Sequence, residues 1–260
     1  MVRALLDAGQ PVRALVRRAG VLPDGADAVV GDLNRPETFA DALDGVTGAF
    51  LLSGYERLDE LLAAMGEAGV ERVVLLSSSA APSGDTSNAV ARYHIESERA
   101  VAASGLPYTF LQPNSFMSNV FRWLPQLRDG EVVRQPFAGV AVAMIDPDDL
   151  GAVAAAAVAG GHEGRTYRLS GPESLRPAEQ VAIVAGVLGR DVRFEAQTDE
   201  QAREEMSQGM PPQYVDAFMR FFAGGELDES EVLPTVEQVT GRPPRSLAAW
   251  AAAHAAELRA

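Results

Sequence analysis

Tyr93 and the residue four positions after it decide whether the chain can use a tyrosine as a proton donor. A lysine at that spacing shares the helical face and lowers the tyrosine pKa from its usual value of about 10. Here the position holds Ser97, and all 22 basic residues are arginines. Tyr93 is a candidate catalytic residue by position, but we expect it to pack or to line a substrate pocket.

His94 and Asn114 are the other candidate catalytic residues. His94 shares a helical face with Glu98, and the two either form a surface ion pair or face a substrate. Asn114 lies between Pro113 and Phe116, directly after a predicted strand. A polar amide beside an aromatic ring suits a ligand site, although an ordinary strand-to-helix turn also favours Pro and Asn.

Polar residues follow the other predicted strands as well. Arg17 and Arg18 end the first one, where a guanidinium either binds a phosphate with two hydrogen bonds or stays solvated. Asp32 and Leu33 follow the second strand, as a ligand contact or as a turn. The remaining candidates at strand ends are Leu52, Ser53, Gly54, Ser77 and Ser78. Because ligands of open α/β sheets bind at the carboxyl ends of the strands, we expect a cofactor-binding edge there.

The elements that must position these residues alternate between short apolar runs and amphipathic stretches. We predict an α/β protein with a Rossmann-like, doubly wound parallel sheet, because buried parallel strands read as continuous apolar runs. The predicted strands lie at 12–16, 27–30, 49–52, 73–76 and 108–111, and the predicted helices at 35–43, 58–68 and 88–103.

After residue 113 the pattern becomes mostly helical. We predict helices at 114–128 and 176–188, an alanine-rich helix capped by residues 146–149, strands at 140–145, 166–169 and 192–195, and only helices from 199 onward. No linker separates the halves. We therefore expect a Rossmann-like body, residues 1–135, with a smaller, mostly helical C-terminal lobe, residues 136–260, that binds substrate and packs on the body.

Five segments together resemble one family. They are VRALVRR (12–18), GDL (31–33), YHIESERAV (93–101), LQPNSFMSN (111–119) and TGRPP (240–244). This combination resembles the NmrA-like branch of the atypical short-chain dehydrogenases, which includes bacterial NADPH:quinone oxidoreductases. The resemblance implies that Arg17 and Arg18 hold the 2′-phosphate of NADP(H), that Asp32 and Leu33 contact its adenine, and that residues 113–116 cover its nicotinamide.

The resemblance leaves three functions open. The first is NADPH-dependent reduction of a quinone or conjugated carbonyl compound, which positioning and the cofactor's own chemistry can drive without a Tyr/Lys pair. The second is a sensor or regulatory protein that binds NADP(H) without turnover. The third is a diverged member that has lost the cofactor and binds a small aromatic ligand.

A doubly wound dinucleotide fold begins with a strand and a Gly-rich turn that holds the pyrophosphate. This sequence opens inside the helix that normally follows the turn, and no replacement G-x-G-x-x-G follows a predicted strand. We therefore expect these 260 residues alone to bind a dinucleotide weakly. The two strands beside the missing one are expected either to pair directly or to flank a strand encoded upstream.

Composition excludes several classes of function. The net charge of −14 disfavours direct nucleic-acid binding, and the absence of cysteine excludes thiol chemistry and disulfides. With only three histidines, we expect no metal site. No apolar run has the length of a membrane span. We expect a cytoplasmic bacterial protein that takes a small apolar or aromatic substrate, with a homodimer as one option for its assembly.

Overall fold

Strands and helices alternate along most of the chain, as the apolar periodicity predicts. A computed structural model describes residues 1–18, 20 and 22–259. The strands are β1 (Val12–Val16), β2 (Ala26–Val30), β3 (Gly48–Leu52), β4 (Arg72–Leu76), β5 (Tyr108–Pro113), β6 (Val132–Gln135), β7 (Arg165–Leu169) and β8 (Arg193–Ala196). The helices are α1 (Val2–Asp7), α2 (Leu58–Glu67), α3 (Ala89–Ala103), α4 (Leu124–Asp129), α5 (Pro147–Ala159), α6 (Pro177–Leu188), α7 (Asp199–Ser207), α8 (Pro212–Phe222), α9 (Thr235–Thr240), α10 (Leu247–Ala253) and α11 (Ala255–Arg259).

The chain divides into two units by its internal contacts. The first, which we call the sheet unit, contains Met1–Thr86, Ala91–Gln112 and Leu150–Arg168. The second, which we call the helical unit, contains Ser87–Val90, Pro113–Asp149 and Leu169–Ala260. Each unit has its own apolar core, and each is described below by itself.

The sheet unit is built around parallel strands. The strand order is β3-β4-β5-β7, and β4 pairs in parallel with both β3 and β5. Val73 and Leu75 of β4 are fully buried, which explains why this strand is the most apolar run in the sequence. The core around them also contains Phe39, Leu43, Leu51, Leu58, Leu61, Leu62, Met65, Val70, Val101 and Phe110. The predicted α/β class with a Rossmann-like parallel sheet is confirmed.

The first two strands form a separate parallel pair. β1 pairs with β2 along its whole length, from Val12 opposite Ala26 to Val16 opposite Val30. Within the described residues no ladder joins β1 to β3, so the first of the two alternatives, direct pairing of these neighbours, is not observed. Arg13 instead links β1 to the segment before β3, where its guanidinium donates to the carbonyl oxygens of Ala42 and Asp44.

Three predicted elements differ in kind from those in the structure. Residues 35–43 form two short 3-10 helices because Phe39, with φ −146°, interrupts them. The predicted helix 114–128 begins only at Met117, as a 3-10 helix that runs into α4. Residues 140–145 form no strand, because their N–H groups at Ala143 and Ile145 donate to carbonyls of irregular segments. The strand of this region is β6, which pairs with β8.

The helical unit packs its helices around β6 and β8. Its core contains Met117, Val120, Trp123, Leu127, Val133, Met144, Val181, Val184, Leu188, Leu247, Trp250, Ala251 and Leu258. An ion pair between a buried carboxylate and a half-exposed guanidinium ties the chain after α9 to the start of α5. The Asp149 carboxylate, which is 0% exposed, lies 3.0 Å from Arg242 Nη1 and accepts a 2.6 Å hydrogen bond from the Arg245 N–H. This pair gives the TGRPP segment a structural role.

We expect Arg242→Ala to lower the free energy of unfolding at pH 7 by about 2 kcal/mol, because the buried Asp149 carboxylate loses a charged partner and keeps only the Arg245 N–H. The matched control is Arg134→Ala. Arg134 Nε also lies 3.0 Å from a carboxylate, that of Glu195, but both side chains of this pair are more than half exposed. The control should lose less than about 1 kcal/mol. Urea unfolding measures both changes, and equal losses would contradict the assignment.

Candidate functional site

The carboxyl ends of β3, β4 and β5 bring several predicted site residues together in the sheet unit. The Ser53 hydroxyl donates to the Leu76 carbonyl at 2.9 Å, and the Ser77 N–H donates to the Leu111 carbonyl at 2.7 Å. The Ser77 hydroxyl has no hydrogen-bond partner among the described residues, although Ser77 is only 3% exposed. A buried hydroxyl without a partner is costly, so this oxygen is poised for a ligand. Ser78 is used locally, since its hydroxyl accepts from the Ala80 N–H.

Gly54, directly after β3, is held in place by the helix that carries Tyr93. Its φ of +94° lies in the left-handed region that glycine tolerates, and a Cβ there would come within 3.3 Å of the Tyr93 ring. The Gly54 N–H donates to Ser97 Oγ at 3.0 Å, and Ser97 Oγ donates to the Tyr93 carbonyl at 2.7 Å. Ser97, at the position where a lysine would serve a catalytic tyrosine, therefore fixes the loop after β3.

His94, next to Tyr93 on the same helix, is a neutral imidazole at pH 7. Its ring centroid is 4.1 Å from that of Tyr93, and burial lowers the pKa of His94 to about 4. Its Nδ1 has no hydrogen-bond partner among the described residues. The ion pair considered for His94 and Glu98 is not formed, because Glu98 instead accepts a 2.8 Å hydrogen bond from Gln112 Nε2.

Arg17 and Arg18 are both exposed just after β1, and neither forms an ion pair with a described residue. Arg17 lies near Tyr55: burial raises the pKa of that phenol, and the charge of Arg17 opposes the shift. These two guanidinium groups are therefore available to an anion. Both follow the end of a parallel strand, where the sequence places them.

Asp32, Leu33 and Leu52 occupy the other strand ends. Asp32 Oδ1 accepts from the Asn34 N–H at 2.9 Å, which is the turn that the sequence offered as the alternative to a ligand contact. Leu33 packs against the core of the sheet unit. Leu52 is 48% exposed at the end of β3, which is unusual for a large apolar side chain and leaves it available to a ligand.

Residues 113–116 belong to the helical unit, where hydrogen bonds hold them firmly. Asn114 is buried, and its Nδ2 donates to the carbonyls of Glu229 and Ala143 at 2.9 and 3.3 Å. The Asn114 amide nitrogen therefore orders the loop. Phe116 is half-buried and bridges to Ile145. Glu229 was missed by the sequence analysis, because it lies in an acidic stretch whose composition is typical of exposed chain.

No group of acidic or histidine side chains with metal-binding geometry occurs among residues 1–18, 20 and 22–259. Of the helices described above, none combines the length and apolarity needed to cross a membrane.

The parallel ladder and the polar groups at its carboxyl ends define a Rossmann-like α/β protein of the dinucleotide-binding type. The chain belongs to the NmrA-like family, whose profile matches residues 1–249. The resemblance identified from the sequence is thereby confirmed.

Several relatives align over nearly the whole chain. A (4-alkanoyl-5-oxo-2,5-dihydrofuran-3-yl)methyl phosphate reductase of Streptomyces griseus is 40% identical over 96% of this chain and 92% of its own. An NAD(P)H azoreductase of Xenophilus azovorans is 36% identical over 98% of this chain and 93% of its own. The NADPH complex of an Escherichia coli NADPH-dependent quinone oxidoreductase shares the fold, with a TM-score of 0.78, 22% identity and coverage of 97% of this chain and 94% of that one.

His94 predicts a pH dependence of stability. Below pH 6.5 the unfolded chain takes up a proton at His94, whereas the folded protein does so only near pH 4. The free energy of unfolding should therefore fall as the pH falls from 6.5 to 4, with a contribution of up to about 3 kcal/mol from this residue. His94→Gln should remove that contribution, which denaturant unfolding at a series of pH values measures. His254→Gln, at a half-exposed ring, is the control, and the same pH profile in His94→Gln as in the wild type would refute the assignment.

Proposed function

We propose that the protein is an NADPH-dependent reductase of a quinone or a conjugated carbonyl compound. One observation carries the proposal. At the carboxyl edge of the sheet unit, the buried Ser77 hydroxyl has no hydrogen-bond partner among the described residues, and the Gly54 loop is held by Ser97. The reductase relatives support turnover rather than sensing alone. The 40% identical relative is named for a substrate with a ring carbonyl, and the azoreductase and the quinone oxidoreductase are named for azo and quinone acceptors.

We infer that a dinucleotide binds at this edge of the sheet unit. In the proposal Arg17 and Arg18 bind the 2′-phosphate, and the other contacts of the sheet unit come from Asp32, Leu33, Leu52, Ser53, Gly54, Ser77 and Ser78. The contacts proposed for Pro113, Asn114 and Phe116 rest on the family resemblance. The free guanidinium groups and the unpartnered hydroxyl are the observations that support this fit. The sequence contains no Gly-rich turn between a strand and a helix, so no residue is assigned to the pyrophosphate. Residues 1–135 are proposed to hold the cofactor, and residues 136–260 the substrate.

The bound cofactor would supply hydride, and the chain's own residues would position the acceptor. His94 is neutral at pH 7. Its one ring N–H can donate a hydrogen bond to the oxygen of the electron acceptor, but the ring carries no charge to stabilise an anion. The Tyr93 ring packs against Gly54 and His94, and this packing supports a role for Tyr93 as a wall of the pocket. Acceptors whose reduced form takes protons from water therefore suit the site. A cytoplasmic location and a homodimer stay predictions.

We expect NADPH oxidation with a quinone or an α,β-unsaturated lactone, and none of the reverse reaction with a secondary alcohol. Tyr93→Phe keeps the ring and removes the hydroxyl, so quinone reduction should change little. Absorbance at the reduced-nicotinamide band measures both reactions in the full-length protein. Alcohol oxidation abolished by Tyr93→Phe would overturn the proposed chemistry, and no turnover with any acceptor would favour the sensor.

Cofactor selectivity tests the proposed phosphate contact separately. Replacing Arg17 and Arg18 together by alanine removes charge-assisted hydrogen bonds that only a 2′-phosphate can make. NADPH affinity should fall about tenfold or more, while NADH affinity, the internal control, stays nearly the same. Fluorescence titration with each dinucleotide measures the two constants. Equal losses for both would show that the arginines act elsewhere.

A further inference from the structure

The segment between α8 and α9 contains a buried carboxylate that the proposed chemistry does not use. Residues 223–234, which we call the connecting segment, have no regular secondary structure and are rich in acidic side chains. Glu226 and Glu231 in this segment are exposed, but Glu229 is only 4% exposed. Burying a charged group is unfavourable unless hydrogen bonds compensate it, so the burial of Glu229 requires specific partners.

The partners of Glu229 lie in the loop after β5. Its two carboxylate oxygens accept from the Ser115 N–H at 3.0 Å and from the Ser115 hydroxyl at 2.6 Å. Its backbone carbonyl accepts from Asn114 Nδ2 at 2.9 Å and from the Ala143 N–H at 2.7 Å. Hydrogen bonds to an ionised acceptor are among the strongest in proteins. Both ends of Glu229 are therefore bonded to neighbouring residues of one loop.

The connecting segment is anchored a second time, four residues later. The Leu233 N–H donates to Ser170 Oγ at 2.8 Å, and Ser170 Oγ donates to the Gly171 carbonyl. Upstream, the Leu227 N–H bonds back to the Phe221 carbonyl at the end of α8. Glu229 thus lies between two anchored residues, Leu227 and Leu233. Its carboxylate connects this part of the segment to Ser115.

We propose that Glu229 is the positioning residue for the loop 113–116. It sets the place of Asn114 and Phe116 through Ser115 and through its own backbone carbonyl, without touching substrate itself. The kinetic consequence rests on the proposed function, in which this loop covers the reacting end of the cofactor. The structural claim, that Glu229 holds the loop, does not rest on it.

The test compares Glu229→Ala, Glu229→Gln and Ser115→Ala with the exposed control Glu226→Ala. Amide hydrogen exchange should accelerate about tenfold at residues 114–117 in Glu229→Ala, because both side-chain bonds to Ser115 are lost. Glu229→Gln keeps an acceptor for the Ser115 N–H and should recover most of the protection. Glu226, which pairs with Arg220 at the surface, should leave exchange unchanged on replacement.

Steady-state kinetics with NADPH and a quinone give the second readout. A loop displaced by about 1 Å misaligns the reacting groups, so kcat of Glu229→Ala should fall about 10- to 100-fold. The KM for NADPH should change much less, because Arg17 and Arg18 are intact. Glu229→Gln should recover most of the lost kcat.

Unchanged exchange at residues 114–117 in Glu229→Ala would overturn the proposal, and faster exchange with an unchanged kcat would overturn its kinetic consequence. If Glu229→Ala does not fold, Ser115→Ala decides, because it removes only the 2.6 Å bond and should show a smaller change of the same kind. A wild-type protein without reductase activity would remove the proposed function, while hydrogen exchange would still show whether Glu229 holds the loop.

Discussion

The burial of β4 between two parallel neighbours is the constraint on which the sheet unit depends. A strand covered on both faces must pair all its backbone polar groups, because water cannot reach them. The ladder with β3 and β5 meets that need as far as Leu76. At its carboxyl end the pairing continues through other groups: Ser77 N–H bonds to Leu111, and the Leu76 carbonyl accepts from the Ser53 side chain. The same serines that end the ladder therefore form the polar edge of the candidate site.

The loops that follow β3 and β5 form no ladder with a neighbouring strand. Side chains from other elements therefore hold them in place. In the sheet unit Ser97 supplies the oxygen that accepts from the Gly54 N–H. In the helical unit Glu229 supplies the oxygens that accept from Ser115. Each is buried, and each belongs to an element distant in sequence from the loop it holds. Precision at a site of this kind depends on such supports, because loops are less rigid than the strands that carry them.

Burial explains the prediction of the central strands. β3, β4 and β5 were predicted within about two residues, because strands covered by other elements are short, unbroken apolar runs. The strand β6, Val132–Gln135, was missed because half of it is polar, and 140–145 was predicted as a strand because its apolar residues contact loops instead of a neighbour. The edge residues Ser53, Gly54 and Ser77 followed from the general rule for α/β sheets. Glu229 could not be predicted, since no local pattern separates a buried glutamate from exposed acidic neighbours.

The absence of lysine shapes the chemistry of the whole site. Every cation in the chain is an arginine, apart from protonated histidine, and a guanidinium binds phosphate well but does not give up its proton at neutral pH. His94, the imidazole next to Tyr93, is neutral because burial lowers its pKa to about 4. Ser97 stands at the spacing where a lysine would assist Tyr93. Its hydroxyl already accepts a hydrogen bond from the Gly54 N–H and donates one to the Tyr93 carbonyl. The helix α3 therefore offers packing and hydrogen bonds, and its buried imidazole carries no charge at pH 7. In the proposed function, such a site binds an anionic cofactor and orients a flat acceptor, and the final protonation comes from solvent.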